Sequence, residues 1–218
     1  FLFTTVLDYL NDKNWKDEIP DDLKDFYDSS TYLKAKKYKI ERGRLSSISS
    51  SLNLIFTVLM LYFYGFGFIS DYAISLSDSV IVQSSIFFMI FHLITYFLGI
   101  PFSYYSTFVI EEKFGFNKTD LKTFIIDKIK SLIMSVILII GLTSIAVLII
   151  GFFSTGFWLL LWIGLSLFML FLNMFYADLI VPIFNKLTPL EDGELRKKIE
   201  AYSKKVGYSL KNIFVIDG

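Results

Sequence analysis

Residues 45–70, 79–110 and 131–177 contain no Asp, Glu, Lys or Arg at all. Leu, Ile, Phe, Val and Tyr fill these stretches, and a chain with three such runs is built to sit in lipid. A bilayer core of about 30 Å takes roughly 20 apolar residues of helix. Leu52–Ile69, Val80–Ile100 and Leu132–Phe153 each meet that length. The third run is too long for one crossing, and Ser154-Thr155-Gly156 near its middle reads as a hairpin, so Phe157–Ala177 becomes a fourth helix. Trp158 and Trp162 at its start and Tyr176 at its end suit the aromatic belts of the two interfaces. The fold class is therefore all-α integral membrane, with four complete transmembrane helices at about 52–69, 80–100, 132–153 and 157–177.

Charge between the runs sets the orientation. Lys34, Lys36, Lys37, Lys39, Arg42 and Arg44 precede the first span, and Lys113, Lys118, Lys122, Lys128 and Lys130 lie between the second and third. The tail carries Lys186, Arg196, Lys197, Lys198, Lys204, Lys205 and Lys211, whereas 70–79 holds only Asp71 and Asp78, and the 154–156 hairpin no charge. By the positive-inside rule, segments 31–51 and 101–130 and the C-terminal tail are cytosolic. Asn117-Lys118-Thr119, which matches a glycosylation sequon, then lies in a cytosolic loop and is better read as a turn opening an amphipathic helix. Leu121, Phe124, Ile125 and Ile129 share one face of that helix, and Lys122, Lys128 and Lys130 are available to membrane lipids with anionic headgroups.

Composition excludes several chemistries. Lys plus Arg total 21 and Asp plus Glu total 21, so no basic field invites nucleic acid. With no cysteine and one histidine, His92, a zinc site needing about three protein ligands is not expected within these residues. Phe1–Leu10 reads as the last turns of a truncated first membrane helix. Residues 11–30 are acidic, and Pro20-Asp21-Asp22 suits a helix start. In the tail, Thr188-Pro189-Leu190-Glu191 fits a capping box, Leu195, Ile199, Tyr202 and Val206 recur at helical spacing, and Gly207 supplies the stop. Ile213–Ile216 then reads as a short buried strand.

The candidate chamber or interface positions are His92, Glu111, Glu112, Asn173, Asp178 and Asn185. An ionisable residue within a span, such as His92, is a functional suspect because burial there is costly; a neutral His bonded to a neighbouring carbonyl or hydroxyl is the commoner outcome. Asp178 closes the fourth span, facing a cavity or marking the interface. Glu111-Glu112 evokes the E-E-x-x-x-R motif of intramembrane glutamate proteases, but Phe116 stands at the Arg position and Gly115 breaks the helix. Pairing with Lys113 or loop donors fits the two acids better. No G-x-S-x-G, H-E-x-x-H or phosphate-binding Gly-rich loop occurs.

Val181–Arg196 (VPIFNKLTPLEDGELR) closely resembles the segment that follows the fifth membrane helix in type I CAAX prenyl proteases, typically PLFNKFTPLEDGELR. Pro101–Lys118, ending VIEEKFGFNK, resembles that family's FVIEEKHGFNK loop. Val206-Gly207 and Ile213–Gly218 (IFVIDG) extend the likeness, and Tyr38–Arg44 falls where the family has a basic stretch before its second helix. Leu187 in place of Phe, Phe114 in place of His and Ser209 in place of Pro are departures. The resemblance implies a barrel of seven membrane helices around a water-filled chamber, with a zinc metalloprotease domain at its cytosolic end. Zinc would polarise the scissile carbonyl and activate water, held by an H-E-x-x-H helix and a later Glu, all beyond Gly218. No catalytic or metal residue is then expected in this fragment. The implied substrates are prenylated CAAX polypeptides, or other membrane-associated polypeptides in bacteria. The implied location is the bacterial inner membrane or, in a eukaryote, the endoplasmic reticulum. The expected organisation is 1–10, the end of a first membrane helix; 11–51, a cytosolic linker and helix; 52–181, the four-helix membrane domain; and 182–218, the start of the metalloprotease domain, helix then strand. A non-catalytic transporter-like or scaffold bundle is the alternative.

Overall fold

In the computed structural model, the described residues are 2–20, 24–25, 27–153, 155–210 and 212–216. The elements in chain order are α1 Leu2–Asn14, α2 Ser29–Tyr62, α3 Gly65–Leu76 and α4 Val80–Tyr105, which runs on through a π-helical turn, Ser106–Glu111, into α5 Glu112–Phe114. There follow α6 Leu121–Phe152, α7 Phe157–Phe175, a second π turn at Tyr176–Ile180 and α8 Val181–Phe184. The chain closes with β1 Leu187–Pro189, α9 Glu194–Lys205 and β2 Phe214–Ile216. Four continuous helical stretches are long and apolar enough to cross a membrane: Ser29–Tyr62, Val80–Phe114, Leu121–Phe152 and Phe157–Phe184.

Lipid is the solvent that explains the surface. Ile69, Ala73, Ile110, Phe114 and Phe124 are the buried apolar residues among those described, while large apolar side chains stand exposed along every span. A water-soluble monomer rarely shows apolar patches beyond a few hundred Å²; in hydrocarbon the same surface costs nothing. The chain is an integral, multi-pass membrane protein.

The helices do not stop where the charge-free runs stop. Asp28 caps α2, its carboxylate accepting the Thr31 N–H at 2.8 Å. From there α2 is one helix of 34 residues, about 51 Å long. Its charged first half is helix from Ser29 on. The expected span 52–69 is cut at Tyr64, which takes a left-handed φ of 57°. Two glycines permit the fold-back: a Cβ on Gly65 would lie 2.6 Å from the Met60 sulfur, and one on Gly67 would lie 2.1 Å from the Tyr64 ring. The expected loop at 70–79 is therefore largely helix, with Ile69 and Ala73 of α3 buried and α3 packed on α4.

Asp120 caps α6, its carboxylate accepting the Thr123 N–H at 2.7 Å. The amphipathic segment and the third span form a single helix, and of the expected apolar face only Phe124 is buried. Gly156, with φ of 75°, opens α7; Ser154 of the expected hairpin lies outside the described residues, as do Asp21, Asp22 and Lys211.

The chain divides into two compact units, residues 1–119 with 136–147, and residues 120–135 with 148–218. In the second unit the expected capping box is absent. Leu187, Thr188 and Pro189 pair antiparallel with Ile216, Val215 and Phe214, and the Leu190 N–H donates to the Ile213 carbonyl at 2.9 Å. Pairing with β2 consumes the residues that would have begun the helix, so α9 starts later, with Gly193 as its cap. A strand thus precedes the helix that was expected first, and β2 is exposed, not buried. The half-buried side of α9 is Arg196, Ile199, Glu200 and Ser203, whereas Leu195, Tyr202 and Val206 face outward. Arg196 fixes that rotation: its Nη1 donates to the Leu190 carbonyl at 2.7 Å and its Nε to Glu200 at 3.0 Å. Gly207, at φ of 71°, ends the helix as its sequence implies, and the next N–H, of Tyr208, returns to the Ser203 carbonyl.

Candidate functional site

Segment 112–118 and the start of α2 meet in the first unit and form a polar and aromatic site. Gly115 takes φ of +74°, which reverses the chain after α5. The reversal leaves both Phe114 and Phe116 edge-on to the Tyr38 ring, at centroid distances of 5.4 and 4.9 Å. Phe114 is buried and Ile110 beneath it is only 2% exposed. Lys34, one turn before Tyr38, holds its ammonium 5.4 Å over Phe116, an attraction of a cation to the negative ring face. Arg42, one turn after, donates to the Tyr38 hydroxyl at 3.0 Å. Lys113 bridges to Glu41 at 2.5 Å.

The two acids of this motif have distinct tasks. Glu112 accepts from the Asn117 side-chain amide at 2.8 Å, and the Glu111 carbonyl accepts the N–H groups of Phe116 and Asn117 at 2.8 and 3.3 Å. Asn117 in turn accepts the Thr119 N–H at 2.8 Å. A loop donor for Glu112 matches the sequence expectation, whereas Glu111 takes part through its backbone carbonyl and Lys113 pairs with Glu41. Tyr38, Lys34 and Glu41 hold the loop on α2, and the remaining bonds fix the loop and the helix internally. These contacts make the assembly a clamp between α2 and the segment that follows α4.

A second set of contacts ties the segment after α1 to the other side of α2. The Trp15 indole donates to the Tyr32 hydroxyl at 2.6 Å, Lys36 donates to the Trp15 carbonyl at 2.5 Å and to Asp17 at 2.6 Å, and Lys39 sits 4.7 Å over the Trp15 ring. Hydrogen bonding by Lys36, reinforced by its charge, holds the Asp17 carboxyl below the usual carboxylate range. Asp28 is held well below that range by the Ser30 hydroxyl first and then the Thr31 N–H and hydroxyl, and Asp120 is lowered by the hydroxyl and N–H of Thr123.

Of the other candidates, His92 belongs to the first unit and Asn173, Asp178 and Asn185 to the second. His92 lies half-buried in α4, its ring 5.7 Å from that of Tyr96 one turn on, and its carbonyl accepts the Thr95 hydroxyl. In the second unit, exposed Asn173 returns its amide to the Met169 carbonyl at 2.9 Å. Asp178 is exposed within the π turn Tyr176–Ile180, and Asn185 caps the end of α8. Both π turns thus carry an acid singled out from sequence, Glu111 in one and Asp178 in the other. Among the described residues no three of His, Asp and Glu come together as metal ligands, so these residues do not fit a zinc site. Sequence reasoning overlooked Tyr38, Glu41, Phe114 and Phe116 as a cluster. The i, i+4 and i+7 spacing of Lys34, Tyr38 and Glu41 put them on one helix face, but their partners lie more than seventy positions away.

The family profile for the CAAX prenyl protease N-terminal region, described as five membrane helices, matches residues 8–186. The probable CAAX prenyl protease 1 of Schizosaccharomyces pombe is 34% identical over 216 residues, covering 93% of this chain and 45% of that protein. CAAX prenyl protease 1 of Saccharomyces cerevisiae is 33% identical and is matched by 100% of this chain over 51% of its own length. The crystal structure of S. mikatae Ste24p superposes with a TM-score of 0.83 at 34% identity, over 99% of this chain and 51% of that one. The chain spans about half the length of the relatives it matches. With its four membrane-crossing helices and the clamp motif in place, the chain belongs to the CAAX prenyl protease family, as that family's N-terminal membrane domain.

Proposed function

We propose that this domain forms chamber walls for a zinc metalloendopeptidase that trims membrane-associated polypeptides, prenylated CAAX substrates among them, at the cytosolic face. The observation that carries this is the likeness to proteins named CAAX prenyl protease along nearly the whole chain, together with a TM-score of 0.83 to Ste24p. Residues 182–218 are the opening of the protease domain, and the zinc with its ligands is supplied from outside the residues described. Within this scheme Glu111 and Glu112 brace the cytosolic rim through the clamp, while His92, Asn173, Asp178 and Asn185 are chamber or interface positions. Zinc chemistry as such is not the task of these residues; theirs is to fix the chamber wall and to offer a polypeptide a path into the protease domain.

The test is a peptidase assay on the whole protein, using a C-terminally prenylated CAAX peptide in detergent. Cleavage that a chelator abolishes and added zinc restores is expected, with no cleavage by the 218-residue domain alone. Chelator-sensitive cleavage by that domain would overturn the placement of the metal. A whole protein that is folded yet inert toward both prenylated and unprenylated membrane peptides would make it a non-catalytic bundle.

A further inference from the structure

The charged half of α2 has three sides, and two are occupied. Lys34, Tyr38, Glu41 and Arg42 form the clamp side, and Lys36 and Lys39 turn to Trp15 and Asp17. The third side carries Lys37 and Arg44, seven positions apart, both exposed. Lys37 contributes only a long-range attraction to Asp17. Glu41 lies between them along the helix and would cancel part of their charge, but Lys113 already neutralises it at 2.5 Å.

The same side continues toward the membrane as an apolar stripe. Ile48, Ile55 and Tyr62 follow Arg44 at steps of four, seven and seven, which keeps them in line on a helix. They are 55%, 53% and 81% exposed. Ser51, the polar residue near this line, has turned its hydroxyl inward to the Ser47 carbonyl at 2.7 Å. Lys37 and Arg44 are separated by about 10 Å along the axis, comparable to the depth of a headgroup region beyond the hydrocarbon edge. A cationic pair stands directly above an acyl-compatible surface.

We propose that this side of α2 binds an anionic phospholipid of the leaflet that its basic end faces. Arg44 and Lys37 engage phosphate and headgroup carboxylate, and Ile48 and Ile55 lie along an acyl chain. Arg suits the phosphate because its planar fork donates two parallel hydrogen bonds, while Lys above it acts as a point charge. The proposal depends on the helix face alone and not on peptidase activity.

The intact membrane protein, reconstituted in nanodiscs of mixed phosphatidylserine and phosphatidylcholine and released into detergent, is read by native mass spectrometry for retained lipid. Phosphatidylserine should be enriched over its share in the disc. The Lys37→Gln/Arg44→Gln pair should lower that enrichment about fivefold per charge removed, whereas Lys37→Arg/Arg44→Lys should keep most of it. Lys36→Gln/Lys39→Gln removes equal charge from the occupied side and should leave the enrichment nearly unchanged. Thermal midpoints identify any variant whose fold is lost. Equal retention of the two lipids by the unmodified protein would overturn the proposal, and so would an equal loss from both Gln pairs.

Discussion

At Gly115 a backbone φ of +74° brings both Phe114 and Phe116 against the Tyr38 ring. A Cβ there would meet nothing closer than the Lys34 ammonium at 3.9 Å, so the cost of adding one is conformational and not steric. Holding an L-residue in the left-handed region costs about 1–2 kcal/mol. Gly115→Ala should therefore lower the thermal midpoint in detergent by an amount matching that cost, and should raise amide exchange at Phe116 and Asn117, whose N–H groups bond to the Glu111 carbonyl. Gly164→Ala provides the contrast. It lies inside α7 with open space around its Cβ and no positive φ, so the same methyl should leave stability unchanged or improve it. An unaltered midpoint and exchange pattern for Gly115→Ala would mean that the clamp does not need this turn.

The helix starts show how local chemistry sets an element. Asp28 opens α2 with its carboxylate on the Thr31 N–H and the Ser30 and Thr31 hydroxyls, and Asp120 opens α6 in the same way on Thr123. These bonds favour the charged form, so the folded carboxyls titrate below the ordinary aspartate value of about 3.9. The unfolded chain then binds more protons than the folded one as pH drops past that value. The stability the caps contribute is fully present above about pH 4 and is lost as pH falls through the depressed folded values. Asp28→Asn keeps a capping oxygen but has no charge to lose. Its thermal midpoint should fall less than the parent's between about pH 5 and about pH 2. Parallel decline of the two proteins would show that the charge at Asp28 is not felt by the fold. Other elements were harder to read from sequence. Charge-free runs locate helices, but a helix does not end because its residues become polar, so the true starts at Ser29 and Leu121 lie well outside the runs. Thr188–Glu191 satisfies every local rule for a cap, yet its pairing partner Phe214–Ile216 is some twenty-five positions away, and that long-range ladder decides the outcome. The Tyr38–Phe114 contact is of the same kind, invisible to periodicity because it joins segments that only the fold brings together.

For the whole molecule, family membership was legible because two loops carry long, distinctive motifs, and the membrane character because lipid demands uninterrupted apolar helix. Sidedness rests on charge alone: basic segments before α2's apolar half, between α5 and α6, and after α8, against loops at 77–79 and 153–156 that hold no Lys or Arg. The chain contains no cysteine, so single-cysteine variants report sidedness without background. Lys118→Cys and Lys197→Cys lie in exposed, basic surroundings; Asp78→Cys and Thr155→Cys lie at exposed turns of the opposite kind. In sealed vesicles of known orientation, a membrane-impermeant maleimide should reach the first two from the cytosolic side and the second two only from the other. Each helix between these positions must then cross the bilayer once, which Val80–Phe114, Leu121–Phe152 and Phe157–Phe184 are long enough to do. Labelling of Asp78→Cys and Lys118→Cys from the same side would place both ends of α4 in one compartment. A stretch of 35 residues with Pro101 inside it would then have to re-enter the membrane surface instead of spanning it. That outcome would remove the basis for placing the Val181–Arg196 segment, and any protease domain it opens, in the cytosol.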